Sequence, residues 1–442
     1  MADEPVQQRA NLPEEPIHRL VGPLLRFMHV EAAGGIVLLA FTVAALALAN
    51  SPLSGDFLAS WKTEIGFSFG DFEMRYSLRH WINDGLMGIF FLVVGLEVKR
   101  ELVLGELRDP RRAALPFAAA LGGMIAPAAL YLALMRGTPE ARGWGIPMAT
   151  DIAFAVGCLA IAGRRVPASL RIMLLSLAIV DDIGAILVIA VGYTARLDLG
   201  MLALSGAGIG AVVLIGKLGV RGVGPYVVLG AVVWFGFHES GVHATIAGVI
   251  LGLMTPARSW VSETLIERIV RQAGTVLTGS WRDASVRYSE LRRVQLAARE
   301  ALPPLERLEG ALHPWVSFAI MPIFAFANAG VPIQGGAFAE PVALAVVVGL
   351  VVGKPAGVLL LSWLAVRAGL ASLPTGAGWS GVAAIGALAG VGFTMSIFIA
   401  GLALTGASLD AAKIGILSGS VISGALGVGL LLALLPRPAA AA

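Results

Sequence analysis

Charged residues are scarce in this sequence. Asp, Glu, Lys and Arg together make up 14% of the 442 residues, while hydrophobic residues make up 57%. A soluble domain carries roughly 25% charged residues, and the mean hydropathy of this chain is +0.82. So few charges cannot cover the surface of a water-soluble protein of this length. The composition therefore excludes a soluble globular fold.

Cysteine is nearly absent as well, because Cys158 is the only one in the chain. A single cysteine cannot form an intramolecular disulfide, and the apolar neighbours of Cys158 indicate a small buried core residue. Glycine, by contrast, is abundant, with 55 residues. Small residues allow transmembrane helices to pack closely, so the glycine content agrees with a membrane protein.

The apolar residues occur in long blocks rather than in stripes. Blocks of about 18 residues or more are typical of membrane-spanning helices. Twelve blocks occur near residues 30–49, 81–98, 113–135, 145–162, 168–194, 199–216, 223–237, 242–256, 314–331, 341–366, 380–404 and 412–435. The pair on either side of "GFHESGVH" is short. We predict an all-α polytopic membrane protein with about twelve transmembrane helices over residues 29–435.

The sequence before the first block differs from a cleaved signal peptide. Residues 1–28 contain several acids and three prolines before Leu20, without a basic n-region, so we expect a soluble tail. Most of the lysines and arginines fall in connections on the same side as this tail. The positive-inside rule then places both termini in the cytoplasm.

Two connections between blocks contain more polar sequence. Residues 64–78, "EIGFSFGDFEMRYSL", partly alternate around Gly70-Asp71, which predicts a small β-hairpin between helices 1 and 2, with an irregular loop as the alternative. Residues 257–311 form a cytoplasmic loop with nine arginines and seven acids. Within it, "WVSETLIERIVRQAG" has the periodicity of a helix at the membrane surface, although we favour a solvated linker.

Four ionisable residues lie well inside apolar blocks: Asp151, Asp181, Asp182 and Lys354. An ionised side chain at the bilayer centre costs about 2.5–3.5 kcal/mol on insertion scales. One lysine can neutralise one aspartate but not three. At least one carboxylate must therefore be protonated, hydrated or bound to a cation, which indicates a functional site.

The residue types in this group suit a small hard cation. Carboxylates and the hydroxyl of Thr150 offer the oxygen ligands that alkali and alkaline-earth ions prefer. Burial and mutual repulsion favour protonation of carboxylates, so a proton and a metal ion can compete for one site. Such competition is the minimal requirement for exchanging a cation against protons.

Backbone signals point to two interrupted helices. Pro147 and nearby glycines precede Thr150-Asp151 in helix 4, and Gly390 and Gly392 lie inside helix 11. Interrupted helices in corresponding halves of a transporter mark its binding site, because their ends present helix dipoles to the ion.

Seven segments resemble the signature segments of the NhaA-type sodium/proton antiporters, in the order of that family. They are "LMGIFFLVVGLEVKRELVLGEL", "ATDIAFAVG", "LAIVDDIGAI", "SGVHATIAGV", "LHPWVSFAIMPIFAFANAGV", "GKPAG" and "GVGFTMSIFIAGLA". The resemblance implies inverted repeats, with core helices in residues 112–195 and 338–435. It implies interface helices in residues 29–103 and 199–331.

The resemblance also implies roles for the buried residues. Asp181 and Asp182 match the adjacent aspartates that bind Na+ or Li+ and carry protons. Asp151 and Thr150 match the residues of the interrupted helix beside that site. Lys354 matches a membrane lysine that pairs with an aspartate, here with Asp181.

Further residues match positions linked to ion access or pH response. Asp84 matches an acid of the external funnel, and the others are Glu97, Glu101, Glu309 and His243. A packing role for His243 agrees with the sequence at least as well as a proton sensor. Gly310 stands where familiar members carry a histidine, so the pH dependence of the family does not transfer.

By resemblance, the protein is expected to be a secondary transporter and not an enzyme. It would export Na+ or Li+ electrogenically against inward protons, and so contribute to sodium and pH homeostasis. It would work as a homodimer in the lipid of a bacterial inner membrane, with the hairpin joining the protomers. Gly353-Lys354-Pro355 is not a phosphate loop, because proline follows the lysine. We predict no cofactor and no nucleic-acid partner.

Two alternatives belong to other classes. A cation-coupled solute symporter needs a pocket for an organic substrate, and no arginine lies in a broken helix to hold a carboxylate. An intramembrane aspartyl protease needs two facing carboxylates, which Asp151 and Asp182 could supply. However, the sequence has no Gly-x-Gly-Asp signature, and that hypothesis leaves Lys354 unexplained.

Overall fold

Helices cover all twelve predicted blocks. The computed structural model describes residues 33–70, 72–194, 197–279, 284–333, 338 and 340–434, so the predicted tail 1–28 lies outside the described residues. Segments 1 to 12 comprise Ala33–Ala49, Leu78–Val103, Pro110–Leu134, Pro139–Met148 with Ile152–Ala162, Ala168–Gly192, Leu199–Lys217, Val223–Ser240, Thr245–Met254, Pro304–Asn328, Pro341–Arg367, Trp379–Ala389 with Phe393–Ala403, and Gly406–Leu434. The predicted all-α membrane fold is confirmed.

The segments differ in length. Seven described helices of 19 to 29 residues are long and apolar enough to cross a membrane. At 1.5 Å per residue they span the hydrocarbon core of about 30 Å. Segment 8, Thr245–Met254, has only 10 residues and covers about 15 Å, as the short block in the sequence indicated.

Segments 4 and 11 are interrupted, as the proline and glycine signals predicted. The two halves of segment 4 meet at 43°, and those of segment 11 at 46°. Residues 149–151 form the first break and residues 390–392 the second. The backbone N–H of Asp151 donates to the carbonyl oxygen of Val391 over 2.7 Å. The two breaks therefore touch each other.

The order of segments repeats. A long helix, a bent pair and a second long helix follow one another in segments 3–5 and again in segments 10–12. Gly122 lies against Gly357 and Pro127 lies against Gly353, so segment 10 runs antiparallel to segment 3 and the two units have opposite directions. This order agrees with the predicted inverted repeats and brings the two breaks to the same depth.

The predicted hairpin is present. Strands Glu64–Phe69 and Phe72–Ser77 pair antiparallel, from Glu64 opposite Ser77 to Phe69 opposite Phe72. Gly70 has φ +60°, a left-handed conformation that glycine adopts without steric cost. The hairpin connects segments 1 and 2.

The described part of the loop between segments 8 and 9 is largely helical, so the helical periodicity predicted for residues 260–274 is confirmed. Its place at the membrane surface or in solvent stays a prediction. Helices Glu263–Gly279 and Ala284–Ala301 pack against each other. Arg221, between segments 6 and 7, donates to Glu300 over 2.8 Å and stacks on Trp260 at 3.6 Å. Although burial acts to raise the pKa of Glu300, hydrogen bonding and charge from Arg221 outweigh it and lower that pKa.

Segments 3 and 10 approach at glycines. A Cβ on Gly122 would lie 2.0 Å from the carbonyl oxygen of Gly357, and the reverse contact is equally short. Only residues without a side chain allow two helix backbones to come so close. The contact holds Lys354, one turn earlier in segment 10, against segment 3.

We expect Gly122→Ala to lower the thermal stability of the protein by on the order of 1–3 kcal/mol, because the added methyl group overpacks a backbone contact. The matched control is Gly206→Ala in segment 6, where a Cβ meets nothing within 4 Å. Thermal denaturation of the purified protein in detergent measures both. An equal Tm for both variants would contradict the close packing.

Candidate functional site

Four half-helix ends meet at the crossing of segments 4 and 11. The first halves end at Met148 and Ala389, and the second halves begin at Ile152 and Phe393. Helix N-termini carry partial positive charge and C-termini partial negative charge. Because no bulk water is present at this depth, charged side chains must satisfy these ends.

Asp151 caps two of the four ends. Its side chain is 1% exposed, and its Oδ1 accepts the N–H of Phe154 over 3.1 Å at the start of the second half of segment 4. Its Oδ2 accepts both the N–H and the hydroxyl of Thr394, over 3.1 and 2.5 Å. Three donors therefore engage both oxygens of this carboxylate, and they connect the two interrupted helices to one another.

Lys354 meets a negative end. It follows a π-helical turn, Gly349–Gly353, and its side chain is fully buried. The ammonium donates to the carbonyl oxygen of Met148, at the end of the first half of segment 4. It also donates to Asp181 Oδ2 over 2.5 Å. A cation therefore lies at a helix C-terminus, where the dipole favours it.

Asp181 shares its Oδ2 between two partners. The hydroxyl oxygen of Thr150 lies 2.5 Å from this atom and 2.9 Å from the carbonyl oxygen of Ala389. A hydroxyl has one proton, so it cannot donate to both acceptors at once. Either Thr150 donates to Asp181, or a protonated Asp181 donates to Thr150, which then donates to Ala389. In the described part of the chain, Asp181 Oδ1 is buried without a hydrogen-bond partner.

Asp182 differs from its neighbours. It is 3% exposed, and the hydrogen bonds and ion pairs of the described residues include none to its carboxylate. The charged groups that act on it are Asp181, Glu97, Asp151 and Lys354. It is therefore a buried carboxylate whose oxygens keep their lone pairs available for an incoming cation or proton.

The residues predicted for ion access or pH response do not form one group. Asp84 and His243 lie together near the beginning of segment 2. Glu97, Glu101 and Glu309 lie around its end. Residues 84 and 97 of this helix are about 20 Å apart at 1.5 Å per residue. The structure therefore separates them to opposite ends of segment 2.

Arg100 organises the second group. It forms ion pairs with Glu309 and with Glu101, the latter over 3.8 Å. Glu97 interacts electrostatically with Arg100 and Glu309. An open surface cavity of about 580 Å³ borders these residues, and its lining includes Arg100, Glu309 and Gly310. This cavity opens the Arg100–Glu309 pair to the surface.

Sequence reasoning missed several residues that the geometry brings in. Thr394, whose N–H and hydroxyl donate to Asp151, is the second residue after the break of segment 11. The hydroxyl of Ser396 donates to the carbonyl oxygen of Ile146 over 2.7 Å. A search for hydroxyl groups after the breaks would have found both. His80 and His238, beside Asp84, were also missed.

Comparison with known sequences extends the resemblance over nearly the whole chain. The model of the family described as Na+/H+ antiporter 1 matches residues 25–431. A Na(+)/H(+) antiporter NhaA of Rhodopirellula baltica is 53% identical over 434 residues, covering 98% of this chain and 99% of that protein. The NhaA of Rhizobium meliloti is 54% identical over 431 residues, covering 97% and 98%. NhaA 2 of Acidiphilium cryptum is 50% identical, covering 97% and 96%.

We expect Lys354→Met to destabilise the protein by about 3–5 kcal/mol, because it leaves the Asp181 carboxylate buried without its cation. The double variant Lys354→Met/Asp181→Asn removes both charges and should recover most of this loss. Thermal denaturation in detergent measures both changes. Lys413→Met, at a second buried lysine, is the control, and Asp181→Asn should not rescue it. Equal losses in the single and double variants would show that the ion pair is not the cause.

Proposed function

Because the chain belongs to the Na+/H+ antiporter 1 family, we propose that it exchanges sodium ions for protons as a secondary transporter, with Asp182 and Asp181 as the exchange site. The observation that carries this assignment is the free carboxylate of Asp182. Among three buried aspartates, Asp151 accepts three hydrogen bonds through both oxygens and Asp181 is paired with Lys354. Only Asp182 keeps both oxygens for a ligand.

The available atoms suit Na+ or Li+. Both oxygens of Asp182, together with the unpartnered Oδ1 of Asp181, are hard ligands of the kind that such ions prefer. A charged carboxylate is costly to bury, and either a proton or a cation neutralises it. Binding of one therefore displaces the other, which is the coupling that exchange requires.

Lys354 extends the coupling to Asp181. A cation bound between the two aspartates competes with the ammonium group for the same carboxylate. Binding of this cation releases the proton of Asp182. It also lowers the proton affinity of the group formed by Lys354, Asp181 and Thr150. More than one proton then leaves for each cation bound, so transport is electrogenic.

The remaining parts of the proposal concern the setting of the site. The core segments within 112–195 and 338–435 move against the interface segments within 29–103 and 199–331, which exposes the carboxylates alternately. Asp84 and His243 line access from outside, and the Glu97 group lines access from the cytoplasm. The protein lies in the lipid of the bacterial inner membrane with both termini inside, and it contributes to sodium and pH homeostasis.

The aspartyl-protease hypothesis loses support from the contacts of Asp151. A protease needs two facing carboxylates that share an attacking water. Asp151 already accepts three hydrogen bonds from Phe154 and Thr394. It is a capping group rather than half of a catalytic pair.

We expect Asp182→Asn to abolish sodium-dependent dissipation of an imposed pH gradient in proteoliposomes, with at least a tenfold loss of rate at every pH tested. The amide cannot take up and release a proton, and it offers a cation one oxygen instead of a carboxylate. Fluorescence of a pH-sensitive dye during a sodium or lithium pulse measures the exchange.

The matched control is Asp198→Asn, the same substitution at the N-cap of segment 6. Asparagine caps a helix as well as aspartate does, so this variant should exchange at the parental rate. Parental activity in Asp182→Asn would remove Asp182 from the mechanism. A parent that responds to neither sodium nor lithium would overturn the antiport assignment itself.

We also propose that the hairpin joins two protomers by strand pairing. A two-stranded sheet has free edges that can pair with another chain, and Ile65 on the first strand is 51% exposed. We expect Ile65→Lys to shift the purified protein from dimer to monomer in light scattering, because a charge opposes edge pairing. Leu53→Lys, at an exposed leucine outside the hairpin, should keep the parental mass. A dimer that survives Ile65→Lys would contradict this interface.

A further inference from the structure

Three histidines surround Asp84 where the hairpin meets segment 2. His238 Nδ1 lies 3.2 Å from Asp84 Oδ2, and His80 Nε2 lies 3.5 Å from the same oxygen. His243 Nε2 lies 4.0 Å from Asp84 Oδ1. His80 and Asp84 are one turn apart in segment 2, whereas His238 comes from the end of segment 7. Nothing in the proposed exchange uses the two histidines nearest to Asp84.

We propose that His80, Asp84 and His238 form a binding site for a divalent transition-metal ion, with Zn²⁺ as the best fit. Two imidazoles and one carboxylate, with water in the fourth position, are a common zinc ligand set. Ligand bonds of about 2.0 Å in a tetrahedron place the ligand atoms roughly 3.3 Å apart. The two distances to Asp84 Oδ2 bracket this value.

The ligand nitrogens of His80 and His238 are also close to each other. One ligand atom from each residue lies within 4.8 Å of the others, so small side-chain rotations close the site. His80 Nε2 is buried without a hydrogen-bond partner among the described residues. A buried ring nitrogen next to a carboxylate and a second imidazole is the arrangement that a bound cation completes.

A second layer of contacts supports the ligands. His238 Nε2 lies 3.9 Å from Glu239 Oε1, so its two nitrogens face two different carboxylates. Histidines that bind metals usually direct their other nitrogen to such an acceptor. The hydroxyl of Tyr76 donates to Glu239 over 2.9 Å.

Aromatic rings fix the imidazoles. His238 stacks on Trp234 with ring centroids 5.3 Å apart, and His80 stacks on Tyr76 at 4.5 Å. The indole N–H of Trp234 donates to the backbone oxygen of Asp84 over 3.1 Å. Ligands held in place by packing and outer hydrogen bonds bind a metal with little loss of conformational freedom.

His243 is a neighbour rather than a ligand of the site. Its Nδ1 contacts the hydroxyl of Thr245 over 2.8 Å, and its Nε2 faces the other oxygen of Asp84. Three imidazolium rings around one carboxylate would repel one another, whereas neutral rings leave two nitrogens able to coordinate. A single divalent ion supplies the positive charge that Asp84 faces.

The test is to measure Zn²⁺ binding by isothermal titration calorimetry, with the purified full-length protein in detergent and without an affinity tag. We expect one ion per chain in the parent. His80→Gln and His238→Gln should weaken binding by more than the roughly 10–100-fold that loss of an outer partner costs, and Glu239→Gln should fall within that range. His313→Gln, at a histidine outside the cluster, should bind like the parent.

Two further measurements keep the proposal falsifiable. X-ray absorption of the zinc-loaded parent should show nitrogen and oxygen ligands with two imidazoles, and Zn²⁺ should raise the Tm of the parent but not of His80→Gln. Three results would each overturn the site: no zinc-dependent Tm shift in the parent, parental zinc affinity in His80→Gln and His238→Gln, or Mg²⁺ affinity equal to Zn²⁺ affinity in the parent. Because binding is measured without transport, failure here is distinguishable from failure of the antiport assignment.

Discussion

The structure depends on one constraint, which is that backbone N–H and C=O groups at membrane depth must find hydrogen-bond partners within the protein. Breaking two helices in the interior exposes N–H and C=O groups where no bulk water can bind them, at a cost of several kcal/mol for each group left unpaired. Asp151 satisfies the N-termini of two half-helices at once, and Lys354 meets the carbonyl oxygen at the end of a third. The charged residues are therefore part of the backbone architecture before they take any part in transport.

Because of this constraint, three chemically identical carboxylates have different contacts. Both oxygens of Asp151 accept donors from segments 4 and 11. Asp181 is balanced by Lys354, which in turn is held by Met148. Asp182 projects from the next position on the same helix, about 100° away, and so escapes both partners. The three carboxylates therefore differ in their contacts although they share one chemistry and one depth.

Much of this fold could be predicted because apolar blocks, glycines and prolines are local signals. They gave the twelve segments, both interruptions and the hairpin. The sequence could also identify Asp151, Asp181, Asp182 and Lys354, because charge is so costly at this depth. It could not distinguish a capping carboxylate from a free one, because Asp151 accepts its hydrogen bonds in part from Thr394, 243 residues away. The histidine cluster escaped for the same reason, since His238 reaches Asp84 from a different segment. In the loop, the periodicity of residues 260–274 indicated the first helix, whereas the second helix, Ala284–Ala301, was missed because its many charges resemble a linker.

Segment 2 connects the buried site to both surfaces. Near its beginning lies Asp84 with its histidines, and near its end lies Glu97, whose charge acts on Asp182. The Arg100–Glu309 pair ties segment 2 to segment 9. Charged contacts therefore fix both ends of segment 2, through His238 to segment 7 and through Glu309 to segment 9.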